Sequence, residues 1–162
     1  MALILPAPVR DELIAHAREG DPDEVCGMLA GRGERVERLY RVRNTADQVD
    51  AQRGVFRDRE SGQAVAGRAA AHYYMDPRDQ LRVYNEIDEL GLTVLAYYHS
   101  HTGTEARPSP TDIRLASDLQ VHYVLVSLQD KQRPAVRAWK IVKAEPAAET
   151  GEAVEQELRA ET

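Results

Sequence analysis

One stretch limits what this chain can fold into more than any other: LTVLAYYHSH, residues 92–101. It is apolar, rich in β-formers and free of acidic or basic side chains until it ends in two histidines. Such a run is a strand buried on both faces, which requires strands beside it and helices above and below it. The rest of the chain supplies both. VHYVLVSL, 121–128, is a second apolar strand, and AVRAWKIV, 135–142, a more exposed one, joined by a turn at 129–134. Upstream, Val25–Ala30 runs into Gly31 and Gly33 and reads as a strand and turn, with Arg35–Val42 as its hairpin partner.

Two long helices are expected. In PVRDELIAHARE, residues 8–19, Val9, Leu13, Ile14 and Ala17 share a face, and Pro22 prevents continuation. A second helix has Asp76 as N-cap, Pro77 at N1 and Gly91 at C′, with an apolar stripe of Leu81, Tyr84, Ile87 and Leu90. The order of elements implies a single-domain α/β fold, a mixed β-sheet flanked by helices.

The domain is expected at 1–143. Residues 144–162 carry six Glu and one Arg and account for -5 of the net charge of -6, so they read as a solvated acidic C-terminal tail. The remaining body is close to neutral, which gives no reason to expect nucleic acid as a partner. Residues 46–71 are polar, hold three glycines and show no clear period, which predicts a long loop. Cys26 stands alone, so no internal disulfide is expected, and it reads as a buried thiol in a reducing compartment. The apolar run at 2–5 is too short for a signal segment, and no window approaches the about 18 residues of a membrane span; a cytoplasmic protein is expected, with no membrane partner. An apolar edge strand would offer a homodimer surface.

The chemistry lies at the end of the central strand. Side chains alternate with period two, so His99 and His101 point the same way, about 7 Å apart along the backbone. Two imidazoles so placed can converge on one metal. A catalytic zinc takes three protein ligands and keeps one open position. SPTD supplies a third ligand: Ser109 reads as an N-cap, Pro110 as N1 and Asp112 as N3 of a short helix. Each half also has an ordinary explanation, HSH as a polar strand end and SxxD as a capping motif. Their conjunction favours a metal.

Taken whole, HSHTGTEARPSPTD resembles the metal motif of the JAMM, or MPN+, zinc metalloproteases: HxH, seven residues, Ser, two residues, Asp. DEVCGMLAG resembles that family's glutamate segment, and the resemblance spans about residues 5–143. Through DPDEVCGMLAG, HSHTGTEARPSPTDIRLA and HYVLVS it is nearest to the small actinobacterial branch. The resemblance implies a JAMM/MPN-like, cytidine-deaminase-like architecture. It also implies one Zn2+ and a catalytic water held by His99, His101 and Asp112, with Glu24 as general base. The implied partner is a ubiquitin-like sulfur-carrier protein with a C-terminal Gly-Gly, from which cysteine is released. Removal of a longer C-terminal extension, a deubiquitinase-like isopeptidase activity and a metal-free scaffold are the alternatives.

On spacing alone, Glu24 in the acidic run with Asp21 and Asp23 also reads as an exposed acid. Ser109 reads either as a helix cap or as a donor to an oxyanion. His16 and His72 are expected at the surface, and His122, Tyr97, Tyr98 and Trp139 in packing roles. A Gly-Gly tail can pass close to a metal without side-chain clashes. Residues 46–71 and 102–107 are the expected walls of its groove.

Overall fold

A computed structural model describes residues 2–47 and 72–161. The loop expected at 46–71 lies outside the described residues from 48 onward. The elements are β1 (Leu3–Pro6), α1 (Ala7–Gly20), β2 (Cys26–Arg32), β3 (Arg35–Val42), α2 (Pro77–Glu89), β4 (Thr93–His101), α3 (Pro110–Leu115), β5 (His122–Ser127), β6 (Ala135–Val142), β7 (Glu152–Gln156) and β8 (Leu158–Glu161). The strands form one eight-stranded mixed sheet in the order β7-β6-β5-β4-β2-β3-β1-β8. This is the α/β fold that the element order implied.

The central strand sits where its composition requires. β4 runs antiparallel to β2 on one side and parallel to β5 on the other. Its alternating faces serve two cores. Ala96 and Tyr98 pack with Val9, Leu13, Ile14 and Ala17 of α1, together with residues from β1 through β6. On the other face, Tyr97 packs near Cys26, Met28, Val83 and Ile87 beneath α2. The caps of α2 are as expected: the Asp76 carboxylate accepts from the Arg78 amide at 2.8 Å, and Gly91 has φ +67°. Its buried face differs from the expected stripe. Asp79, Val83 and Ile87, spaced by four, face inward, whereas Leu81 is 64% and Leu90 39% exposed. The helix is rotated so that Asp79 docks on Arg43, just past β3, accepting from its amide and guanidinium at 2.9 and 3.1 Å.

The acidic C-terminal segment is not a solvated tail. Residues 152–156 form β7 against β6, and residues 158–161 form β8 against β1. Only Glu157 separates the two strands, and its carbonyl accepts from the Leu3 amide at 3.0 Å. Both ends of the strand order therefore meet at one residue, and the sheet curls round α1. Backbone pairing drives this, since the charges stay outside. Glu155 pairs with Arg137 at 2.8 Å and Glu161 with Arg35 at 2.7 Å. β1 was hidden in sequence as a bare apolar run at the N-terminus. β6, read as a more exposed strand, is interior: β7 pairs along its outer edge, and Trp139 is buried. His16 is not a surface residue. It is half-buried with Nδ1 2.7 Å from the Tyr98 hydroxyl, and burial, aided by Arg41, pushes its pKa down to about 4. Among the described residues no helix is long and apolar enough to cross a membrane.

Candidate metal centre

The pairing of β2 with β4 builds the site. Cys26 lies opposite His99 in an antiparallel ladder, so the residues preceding Cys26 run alongside the end of β4. That register brings Glu24 to His101 and, by alternation, onto the same face as Cys26, His99 and His101. Ser100, between the histidines, points to the opposite face and locks this register. Its Oγ accepts from the Val25 amide at 2.8 Å, and its own amide donates to the Val25 carbonyl at 3.0 Å.

The third side chain arrives from α3. Ser109 is the N-cap, with Pro110 at N1, as its residue types predicted. Ser109 Oγ accepts from the Asp112 amide at 3.1 Å, while Asp112 Oδ2 accepts from the Ser109 amide at 2.9 Å. This reciprocal capping box fixes the Asp112 carboxylate. The same Oδ2 lies 3.0 Å from His99 Nε2 and 3.1 Å from His101 Nε2, and the two nitrogens are 3.2 Å apart.

Three electron-rich atoms in so tight a buried triangle repel one another unless something positive lies between them. Tetrahedral ligands at zinc bond lengths of about 2.0–2.1 Å stand roughly 3.3 Å apart. The observed triangle has that size, and two imidazoles with one carboxylate are a ligand set that zinc takes. His99, His101 and Asp112 can hold a metal ion. The orientation of His101 also fits. Its Nδ1 is 2.8 Å from the Glu105 carbonyl, an acceptor only, so Nδ1 carries the proton and Nε2 presents its lone pair to the triangle. Tyr73 stacks on His99 with ring centroids 4.2 Å apart. The His99 Nδ1 atom is buried without a hydrogen-bond partner among the described residues.

The electrostatics follow from burial. Asp112 is buried, which favours its neutral form, but His99 and His101 outweigh this and hold its pKa below the usual carboxylate range. His101 is pulled down by burial, yet Asp112 raises it overall. At Glu24 the pull of His101 does not outweigh burial. Glu24 is 7% exposed, its Oε1 is buried without a hydrogen-bond partner among the described residues, and burial, with the nearby Asp112 charge, pushes its pKa to about 8. The reading of Glu24 as an exposed acid is therefore set aside. A cavity of about 470 Å³, lined in part by Val25, Asn44 and Arg43, opens onto it.

A chain with this fold and this cluster can be placed among known proteins. Residues 6–142 match the family described as prokaryotic homologs of the JAB domain. The chain belongs to that JAB family. It is 35% identical over 156 residues to the CysO-cysteine peptidase of Mycobacterium tuberculosis, covering 95% of this chain and 92% of the relative. It is 33% identical over 121 residues to a desampylase of Haloferax volcanii, covering 71% and 73%. Among solved structures, a Desulfitobacterium hafniense protein superposes with a TM-score of 0.74 at 30% identity, covering 99% of this chain and 93% of that one.

Sequence reasoning brought out Glu24, His99, His101, Ser109 and Asp112, and this JAB domain gathers them at one end of β4. It missed Ser100, Asn44 and Tyr73. The place of Ser100 between two inward-facing histidines could have flagged it as a residue holding the neighbouring strand. Of the expected groove walls, 102–107 is a loop pinned at Ala106, whose carbonyl accepts from Trp139 Nε1 at 2.9 Å. Cys26 is buried as expected, its thiol donating to the Val42 carbonyl at 3.4 Å, and burial raises its pKa well above the ordinary thiol range.

Proposed function

We propose that this JAB-family chain is a zinc-dependent peptidase acting on a ubiquitin-like sulfur-carrier protein, hydrolysing the amide bond after its C-terminal Gly-Gly and releasing cysteine. The observation that carries the reading is the converging His99, His101 and Asp112 triangle beside a buried Glu24 whose Oε1 has no hydrogen-bond partner among the described residues. It stands in a chain 35% identical to a CysO-cysteine peptidase across 95% of its length.

The residues divide the work as follows. His99 and His101 enter as neutral imidazoles and Asp112 as an anion, so the three hold a dication. A zinc ion held by these three residues would supply Lewis acidity, acidifying water and polarising a carbonyl. Glu24 takes a proton from the attacking water and passes it to the departing amine. Burial favours its protonated form, and a dication held beside it would lower its pKa, which suits a base near neutrality. Ser109 serves both roles left open by the sequence. Its oxygen accepts from the Asp112 amide, which leaves the hydroxyl proton to donate to the developing oxyanion. Residues 102–107 form one wall for the extended Gly-Gly tail.

The desampylase relative favours a second reading, an isopeptidase acting on carrier-protein conjugates. A scaffold without metal fits poorly, because the full ligand set and the buried glutamate are all present. The test is metal analysis with turnover of a purified carrier–cysteine adduct by wild type, His101→Ala and Glu24→Gln. About one zinc per chain is expected in wild type and Glu24→Gln, with turnover in wild type alone. Full activity of Glu24→Gln would remove Glu24 from the base role, and a metal-free active wild type would end the whole reading. A wild type that cleaves carrier–protein conjugates but not the cysteine adduct would select the isopeptidase.

A further inference from the structure

We infer that Asn44 is a positioning residue for this reaction, holding the backbone of Glu24 in register with the histidines and, through the same amide, the segment that presents Tyr73 to His99. The inference rests on the reading of Glu24 as the base. Asn44 follows β3, and its side chain reaches across to two other parts of the chain. Nδ2 donates to the Glu24 carbonyl at 2.9 Å and to the His72 carbonyl at 3.0 Å. Oδ1 accepts from the Ala46 amide at 3.0 Å and from the Tyr74 amide at 3.0 Å.

A carboxamide has two N–H donors and two carbonyl lone pairs, and here backbone groups engage all of them. The arrangement selects asparagine. Carbonyls face its nitrogen and N–H groups face its oxygen. An aspartate would turn a negatively charged oxygen toward two carbonyls, and an alanine would leave the backbone groups unpaired.

The bond to Glu24 matters because Glu24 precedes β2 and is outside the named strands. The peptide group that follows it, the Glu24 carbonyl and the Val25 amide, is gripped at both ends. Asn44 Nδ2 holds the carbonyl and Ser100 Oγ holds the N–H, at 2.9 and 2.8 Å. Two side chains, one from β4 and one from the segment after β3, therefore fix the plane from which the Glu24 side chain departs. His72 and Tyr74, which flank Tyr73, are held by the same amide, so the ring stacked on His99 is positioned together with the base. Short backbone bonds support the junction: the Thr45 amide donates to the Tyr74 carbonyl at 2.8 Å, and the Asp76 amide to the Arg43 carbonyl at 3.0 Å. Displacing a reacting group by about 1 Å can cost on the order of a hundredfold in rate. Loosening this grip should therefore reduce turnover without removing metal or substrate binding.

The experiment compares wild type with Asn44→Asp, Asn44→Ala and Leu13→Ala. The last loosens the core beneath α1, a cluster that contains neither Glu24, Tyr73 nor the three ligands. Zinc content, thermal midpoint, kcat and KM are measured on the carrier–cysteine adduct. The Glu24 carboxyl is also titrated by carbon NMR in the metal-free proteins, which requires no substrate. Expected for both Asn44 variants are about one zinc per chain, KM within about twofold of wild type, kcat lower by about 10- to 100-fold, and a displaced Glu24 titration. Leu13→Ala should keep wild-type kcat and titration despite its lower midpoint. Wild-type kcat in folded Asn44 variants, loss of their zinc, or a matching kcat loss in Leu13→Ala would overturn the inference. A wild type without turnover would refute the functional reading instead, and an unmoved Glu24 titration would then overturn this one.

Discussion

The buried Glu24 carboxyl makes a quantitative demand on the metal-free protein. Burial, with Asp112 nearby, lifts its pKa from 4.5 to about 8, so between these values the folded state binds a proton that the unfolded state has released. A carboxyl raised on folding stabilises most below its unfolded pKa and loses that contribution as pH rises toward its folded pKa. At 1.36 kcal/mol per unit, the full loss from pH 4.5 to 8 is about 5 kcal/mol, of which roughly half falls between pH 5 and pH 7. Glu24→Gln keeps the shape and removes the charge. Groups not coupled to Glu24, His16 among them, are common to both proteins and cancel in the difference, whereas His101 and Asp112 feel the Glu24 charge, so the difference reports Glu24 together with its effect on them. The assay is urea unfolding of chelator-stripped wild type and Glu24→Gln at matched pH. The stability of wild type relative to Glu24→Gln should fall by about 2–3 kcal/mol from pH 5 to 7 and level off above about pH 8. A pH-independent difference would mean that Glu24 is solvated, and the account of its basicity would fail with it.

Three further outcomes are expected. His101→Ala removes one ligand of the triangle and should weaken zinc binding by more than about 100-fold, read by competition with a chelating dye. Truncation after Lys143 strips β7 and β8 from opposite ends of the strand order; by ladder hydrogen bonds at about 1 kcal/mol each it should cost on the order of 5 kcal/mol or more and promote aggregation, followed by thermal melts and light scattering. In Gly27→Ala, the new Cβ would lie 2.2 Å from the Tyr40 carbonyl oxygen and 2.3 Å from the Tyr98 ring. The fold must shift β2 or Tyr98, a cost of about 3 kcal/mol seen as a lower urea midpoint.

What could be read in the sequence was what depends on local pattern. α1 shows its face through Val9, Leu13, Ile14 and Ala17, and α2 its caps through Asp76 and Gly91, because helix periodicity and capping are set within a few residues. The site residues were legible for the same reason: His99 and His101 share a strand, and Ser109 and Asp112 share a helical turn. What was not legible depends on partners distant in sequence. The strands at 152–161 are mostly polar and show little burial, and they form because β6 and β1 each present an open edge. The rotation of α2 accompanies the docking of Asp79 on Arg43, and the burial of Glu24 follows from the register with β4. The segment DPDE gives no local sign of either.

These partners also explain why the site is assembled from both faces of one strand. His99 and His101 face the metal while Ser100, between them, faces away and holds the peptide after Glu24. One three-residue stretch thus provides two ligands and fixes the distance to the base. A slip of one residue in the β2–β4 pairing would turn the Glu24 side chain to the opposite face. The β4–β5 pairing limits such a slip from the other side: Tyr98 and Ser100 lie against Val124 and Val126, buried residues that hold β4 in place. The packing of the core and the geometry of catalysis are then a single constraint on β4. On this account, a core substitution that allows β4 to slide should reduce turnover before it unfolds the protein, whereas one confined to α1 should lower stability and leave turnover intact.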